Sequence, residues 1–214
     1  INPAALTVST ANLNRMYDGT TNATGAAPVV TGGTLFAGDT LAGGTFAFTN
    51  KNVGTGNKTV NVSGVTVSDG NAGANYTLTQ AANTTSTITQ APLSLNAVTD
   101  SKTYNGNTNS SGVVNIAGLV SGETVTGLSQ SFLSKNVLGA NASTLQVNGG
   151  YTVNDGNAGG NYNVTTNTAA GTITKATLNL NAVTDSKTYN GNTNSSGVVN
   201  IAGLVSGETV TGLS

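Results

Sequence analysis

Hydrophobic residues in this chain recur at every second position, in short runs separated by small polar residues. Leu6 and Val8 alternate in this way, as do Phe46 and Phe48, Tyr76 and Leu78, and Leu93 and Leu95. In residues 59–68 (T-V-N-V-S-G-V-T-V-S), Val60 and Val62 share one face, Gly64 shifts the phase by one, and Val65 and Val67 follow. Period-two alternation predicts half-buried strands, with a bulge or bend at the glycine. Strong helix formers are scarce and β-branched Thr and Val abound, which points the same way. Asp18-Gly19, Asp69-Gly70, Asn105-Gly106, Asp155-Gly156 and Asn190-Gly191 mark turns, because these dipeptides tolerate positive φ. The pattern predicts about six or seven short strands per repeating unit, with turn signals roughly every 8–12 residues.

The pattern repeats. Residues 95–129 and 180–214 are the same 35 residues. A more diverged copy precedes them: R-M-Y-D-G-T-T-N around Tyr17 matches K-T-Y-N-G-N-T-N around Tyr104 and Tyr189. A-G-D-T at 37–40 matches S-G-E-T at 121–124, K-N-V at Lys51 returns at Lys135, and S-D-G-N-A-G-A-N-Y at 68–76 returns at 154–162. The expected units are 1–90, 91–175 and a partial third, 176–214, whose missing half should leave strand edges exposed. Units of this size bury a modest core of their own, unlike short solenoid repeats. The fold expected is all-β, with tandem Ig-like β-sandwich repeats in an elongated rod; β-grasp-like units or a β-solenoid are the alternatives. Residues 84–98 contain no Gly/Ser tether, so one unit should run directly into the next, with Pro92 breaking the ladder at the boundary. A repeating sequence has no intrinsic starting point, so a permuted register is equally compatible with it.

Composition narrows the function. Gly, Thr, Asn and Ser make up about half of the chain, charged residues are 7%, net charge is −1, and there is no His, Cys or Trp. Such a balance gives no electrostatic case for nucleic acid or anionic membrane. No apolar segment is long enough to span a bilayer as a helix. Nucleophilic catalysis needs a nucleophile beside a base, and neither His nor Cys is present. The eight Asp and Glu are scattered, so the chain is expected to be non-catalytic and to carry no cofactor.

Four motifs occur in a fixed order: Y-D-G-T-T at Tyr17, K-N-V-G-T-G-N-K-T-V-N-V-S-G-V-T-V at Lys51, D-G-N-A-G-A-N-Y-T-L-T at Asp69, and T-I-T-Q-A-P-L at Thr87. Together they resemble the YDG and MBG-type repeats of large bacterial surface adhesins, found in filamentous-haemagglutinin-like two-partner-secretion exoproteins and biofilm-matrix adhesins. The later units read Y-N-G, so a role that needs the Asp18 carboxylate does not extend to them. The resemblance implies a repetitive, extracellular, non-catalytic stalk at the bacterial cell surface. Its partners would be neighbouring repeats of the same longer chain. A glycan- or matrix-binding module presenting Tyr, Asn and Thr loops to polysaccharide is the alternative, and self-association into filaments by strand complementation is another.

Several residues carry candidate chemistry. Tyr17, Tyr104 and Tyr189, each beside a tight turn, are expected to be structural, packing the ring and hydrogen-bonding the hydroxyl; Tyr76 and Tyr162 are read alike. Asp69 and Asn71, with Asn75, and Asp155 and Asn157, with Asn161, offer oxygens to calcium, but each loop holds one carboxylate and calcium usually takes several. Lys51 and Lys135 recur together with Asp39 and Glu123, a pattern compatible with an isopeptide crosslink and equally with surface lysines at strand ends. Asn-X-Ser/Thr sequons occur at Asn22, Asn57, Asn61, Asn75, Asn83, Asn109, Asn141, Asn163 and Asn194. Composition alone predicts about eight, so they carry no signal for glycosylation. Thr runs such as T-T-S-T-I-T lack the short period an ice-binding ladder needs.

Overall fold

The computed structural model describes residues 1–213; Ser214, the last residue of the third span, lies outside the described residues. The fold is all-β, and among the described residues there is no helix. The first repeat contains seven strands: β1 (Ala4–Thr10), β2 (Asn14–Met16), β3 (Pro28–Gly33), β4 (Thr40–Phe48), β5 (Gly54–Ser68), β6 (Tyr76–Gln80) and β7 (Asn83–Thr89). The second contains nine: β8 (Ala91–Asn96), β9 (Ser101–Thr103), β10 (Asn115–Ala117), β11 (Thr124–Thr126), β12 (Gln130–Phe132), β13 (Gly139–Val147), β14 (Thr152–Asn154), β15 (Tyr162–Asn167) and β16 (Ala169–Thr174). The third begins with β17 (Asn179–Asn181), paired antiparallel with β18 (Asn200–Ala202).

Each complete repeat folds as two halves. In the first, β3-β1-β6 form one sheet and β2-β7-β5-β4 another. The β4–β5 hairpin is part of the second sheet and reaches across to pack on the first, with Gly44 (φ 107°) facing Gly64 (φ 69°) across its ladder. The pairing register is the same on either side of these glycines, so Gly64 marks a bend and not a one-residue bulge. The bend carries Val65 and Val67 onto β1, where they pack with Leu6, Val8 and Tyr76. In the second repeat the corresponding strands break outright, β4 becoming β11 and β12 and β5 becoming β13 and β14, around Gly127 and Gly150. That break accounts for nine strands where the sequence pattern suggested six or seven.

Only Gln90 separates β7 from β8. Pro92 does not break the ladder as expected: it is the second residue of β8 and exposed, near a strand start where a missing N–H is tolerated.

Packing divides the chain into two compact units that cut across the sequence period. The first contains Ile1–Ser94, Ile116–Gly127 and Tyr151–Thr165; the second contains Leu95–Asn115, Leu128–Gly150 and the described residues from Thr166 onward. The first unit therefore holds the whole of repeat one together with one half of repeat two. In the second unit, Phe132, Leu145 and Ile173 form a core with Ala97, and Tyr104, Val147 and Ala169 pack against it.

Candidate functional site

The first compact unit contains a cluster that joins two sequence repeats. Tyr17 follows β2, held by its N–H to Thr89 O (2.8 Å). Its ring is buried, and its hydroxyl donates to Glu123 Oε1 at 2.5 Å. Tyr162, at the start of β15, donates its hydroxyl to Glu123 Oε2 at 2.5 Å and accepts from Val120 N at 2.9 Å. The Lys51 ammonium lies 2.9 Å from Glu123 Oε1 and 5.6 Å from the centre of the Tyr17 ring. The two tyrosine rings meet edge to face, with centroids 5.5 Å apart. One carboxylate thus takes a phenol from its own repeat, and a phenol and an ammonium from the repeat before it.

These contacts fix the charge states. Burial would raise the Glu123 carboxyl, but donation from Tyr162, Tyr17 and Lys51 more than offsets it and holds the group below its usual range. Burial, then the hydrogen bond to Glu123, pushes the Tyr162 phenol up to about 12 and raises Tyr17 as well. Hydrogen bonding to Tyr17 and to Glu123 raises Lys51. An isopeptide bond forms from a neutral amine and a neutral acid. Here Lys51 is held protonated and Glu123 ionised, so the pair is a salt bridge.

The Y-D-G turn shapes the contact. Asp18 Oδ1 accepts from Thr20 N and Thr20 Oγ1, both at 2.9 Å, and pairs with Arg15. The carboxylate therefore serves the turn, and Asn105 makes a looser version of it with Asn107 N at 3.4 Å. Gly19 sits at φ +78°, and a Cβ there would come within 2.6 Å of Val120 Cγ1. Glycine is required twice over, by the left-handed backbone and by the side chain pressed against it.

The D-G-N-A-G-x-N-Y loop closes the other side. Asp155 accepts backbone N–H from Asn157 (2.7 Å), Gly159 (2.8 Å) and Asn161 (3.0 Å). Burial would raise Asp155, but these N–H groups hold it below its usual range. Ala158, at φ 51°, is kept in the left-handed region by this ring of bonds. The inward N–H groups suit an anion, so Asp155 and Asn157 build the loop around the carboxylate's own charge; Asp69 and Asn71 repeat the arrangement. Asn161, fully buried, then accepts from Val53 N at 3.0 Å and donates to Asn52 Oδ1 at 3.3 Å. The K-N-V motif of one repeat is thus bonded to the N-Y of the next.

The second compact unit repeats part of the cluster. Tyr104 donates to Glu208, and a Cβ on Gly106 would come within 2.8 Å of Val205 Cγ1. The Glu208 bond and burial raise Tyr104, and the Lys135 charge opposes them. Tyr76 donates to Asp39 Oδ2 at 2.6 Å and accepts from Phe36 N, as Tyr162 does with Glu123 and Val120. Tyr189 is 93% exposed.

Three basic side chains within the motifs also matter. Arg15 lies 4.9 Å over the Phe48 ring, and Lys102 5.5 Å over Phe132, the same cation–aromatic contact in successive repeats. Lys58 is buried against Asn50 Oδ1, and burial lowers its pKa. Each lies inside a repeated motif, and Lys58 shares the period-two face of Val60 and Val62.

A family model described as the YDG domain matches residues 2–86 and again 89–169. The chain belongs to the YDG-domain family. No curated protein and no solved structure matches it. The two matches fall on the two complete repeats, and the tyrosine and glycine of the Y-D-G triplet that runs from Tyr17 to Gly19 are the residues that engage Glu123 and Val120.

Proposed function

We propose that this chain is a stalk segment of a repetitive extracellular bacterial surface protein. In this reading, YDG repeats are mechanical units, they catalyse nothing, and their number sets the reach of a distal adhesive part. The observation that carries it is the Glu123 cluster, where the functional groups of one repeat are spent on the next. Tyr17 and Tyr162 are buried and hydrogen-bonded to a carboxylate instead of presenting a free face. Ring stacking on a sugar needs an exposed face, so their burial favours the spacer over the polysaccharide-binding reading. A single residue lies between β7 and β8, so repeat one joins repeat two without a flexible Gly/Ser tether. No helix among the described residues is long and apolar enough to cross a membrane.

The test is a surface- and matrix-polysaccharide array probed with the whole chain. A stalk gives no retention above an unrelated β-protein. Retention that disappears in a Tyr189→Ala or Tyr104→Ala variant replaces the spacer with a binding module.

A further inference from the structure

The half of repeat two that carries Glu123 has a counterpart in repeat one, and the two differ in one respect. Asp39 stands for Glu123, Phe36 for Val120, Tyr76 for Tyr162, and Asn75 for Asn161. The internal bonds are the same: Tyr76 to Asp39, Phe36 N to Tyr76, and Asp69 with its three backbone donors. The cover is not. Asp155 and Asn161 are 2% and 0% exposed under the Tyr17–Lys51 end, whereas Asn75 is exposed and Asp69 half-buried. Phe36, whose counterpart Val120 presses on Gly19, is 57% exposed. Between these residues lies an open cleft of ≈ 560 Å³ lined by Asp39, Tyr76, Phe36, Asn75 and the first residues of the chain.

The geometry points to this cleft as a docking face for the Tyr–Lys end of another YDG repeat. The Asp39 carboxylate has one phenol where Glu123 has two phenols and an ammonium. The Asn75 Oδ1 acceptor meets only its neighbour Asn71, while Asn161 Oδ1 also takes the Val53 N–H. The face is therefore short of a phenol, an ammonium and a backbone N–H, the three groups that Tyr17, Lys51 and Val53 supply to its counterpart. The exposed Phe36 ring offers the turn glycine of the incoming repeat a larger apolar surface than valine does. This inference takes its partner from the stalk reading and its geometry from the Asp39 face alone.

The sequence supplies a way to present that partner. Ile88 corresponds to Ile1, so a second copy of residues 1–87 placed directly before Ile1 keeps the repeat register. Amide hydrogen exchange of the extended chain is compared with that of the 214-residue chain. The amides of Phe36 and of 71–76 in the original repeat should exchange roughly tenfold more slowly or better in the extended chain. Tyr17→Phe with Lys51→Ala in the added copy alone should return them to their original rates, though the added copy keeps its ring and its own core. Unchanged exchange at Phe36 and 71–76, or protection that survives the double substitution, overturns the inference. The amides of 155–162 serve as the internal reference. Fast exchange there strikes the stalk reading, whereas slow exchange there with fast exchange at 71–76 strikes only the docking face.

Discussion

Tyr17 and Glu123 stand 106 residues apart in the chain and meet across a 2.5 Å hydrogen bond. The bond is charge-assisted and has a buried ring on one side and a carboxylate shared with Tyr162 and Lys51 on the other. Hydrogen bonds to charged groups contribute about 1.5–3 kcal/mol. Tyr17→Phe keeps the ring and removes only the donor, so it should cost within that range in denaturant unfolding. Lys51→Ala should cost less, below about 1 kcal/mol, because the ammonium is partly solvent-exposed. Equal losses in the two variants would show that the ammonium contributes as much as the phenol and contradict this ranking.

The cluster sets both edges of the pH profile. Glu123 and Asp155 lie below the usual carboxylate range when folded, so the unfolded chain binds protons more readily. Their contribution is complete above the ordinary carboxylate value of about 4 and is lost as pH falls through the lowered folded values. Tyr162, raised to about 12, and Tyr17 and Lys51, also raised, act at the other end. Their contribution is complete below the ordinary values of about 10 and is lost as pH rises toward the folded ones. The chain has no histidine, so Tm should be flat between about pH 5 and pH 9. Glu123→Gln should soften the alkaline edge; a variant profile parallel to the parent's would separate that edge from the cluster.

Gly19→Ala should destabilise by about 1–3 kcal/mol, combining left-handed backbone cost with overlap on Val120 Cγ1. Val120→Ala in the same chain should recover the overlap but not the backbone part. A double-mutant cycle measures this, and strictly additive losses would contradict the contact.

The Asp155 loop makes an opposite pair of predictions. Asp155→Ala orphans three N–H donors around a buried position and should cost about 2 kcal/mol or more. Ala158→Gly relieves the left-handed alanine and should leave stability unchanged or raise it by up to about 1 kcal/mol. Millimolar calcium should leave Tm unchanged, since the Asp155 oxygens are already committed to N–H groups.

Much of this was legible in the sequence. The alternation of Val60 and Val62, then Val65 and Val67, marks the two arms of β5 and the bend at Gly64. Beside the Y-[DN]-G and D-G-N-A-G-x-N-Y turns, Tyr17, Tyr76, Tyr104 and Tyr162 donate their hydroxyls to carboxylates while Tyr189 stands exposed, and both loops fold around side-chain caps. Lys51 and Lys135 recur with Asp39 and Glu123, but the sequence does not say which lysine meets which acid. What the sequence withheld was register. Tyr17 has an acid of matching type in its own repeat, Asp39, and a repeating chain does not say whether a tyrosine meets the acid of its own unit or that of the next. The break around Gly127 and Gly150 decides it, by dividing repeat two so that its Glu123 half packs with repeat one. Lys58 falls on the same period-two face as Val60 and Val62, and its stem lines apolar surface there while the ammonium reaches Asn50.

In the proposed stalk, load would pass from one YDG repeat to the next through the Glu123 cluster. Single-molecule pulling on the whole chain, held at its two ends, tests it most directly. The account predicts that Glu123→Ala lowers the force at which the first compact unit yields, and that Tyr17→Phe lowers it in the same direction by less. Yield forces in both variants indistinguishable from the parent's, with the fold intact, would contradict it.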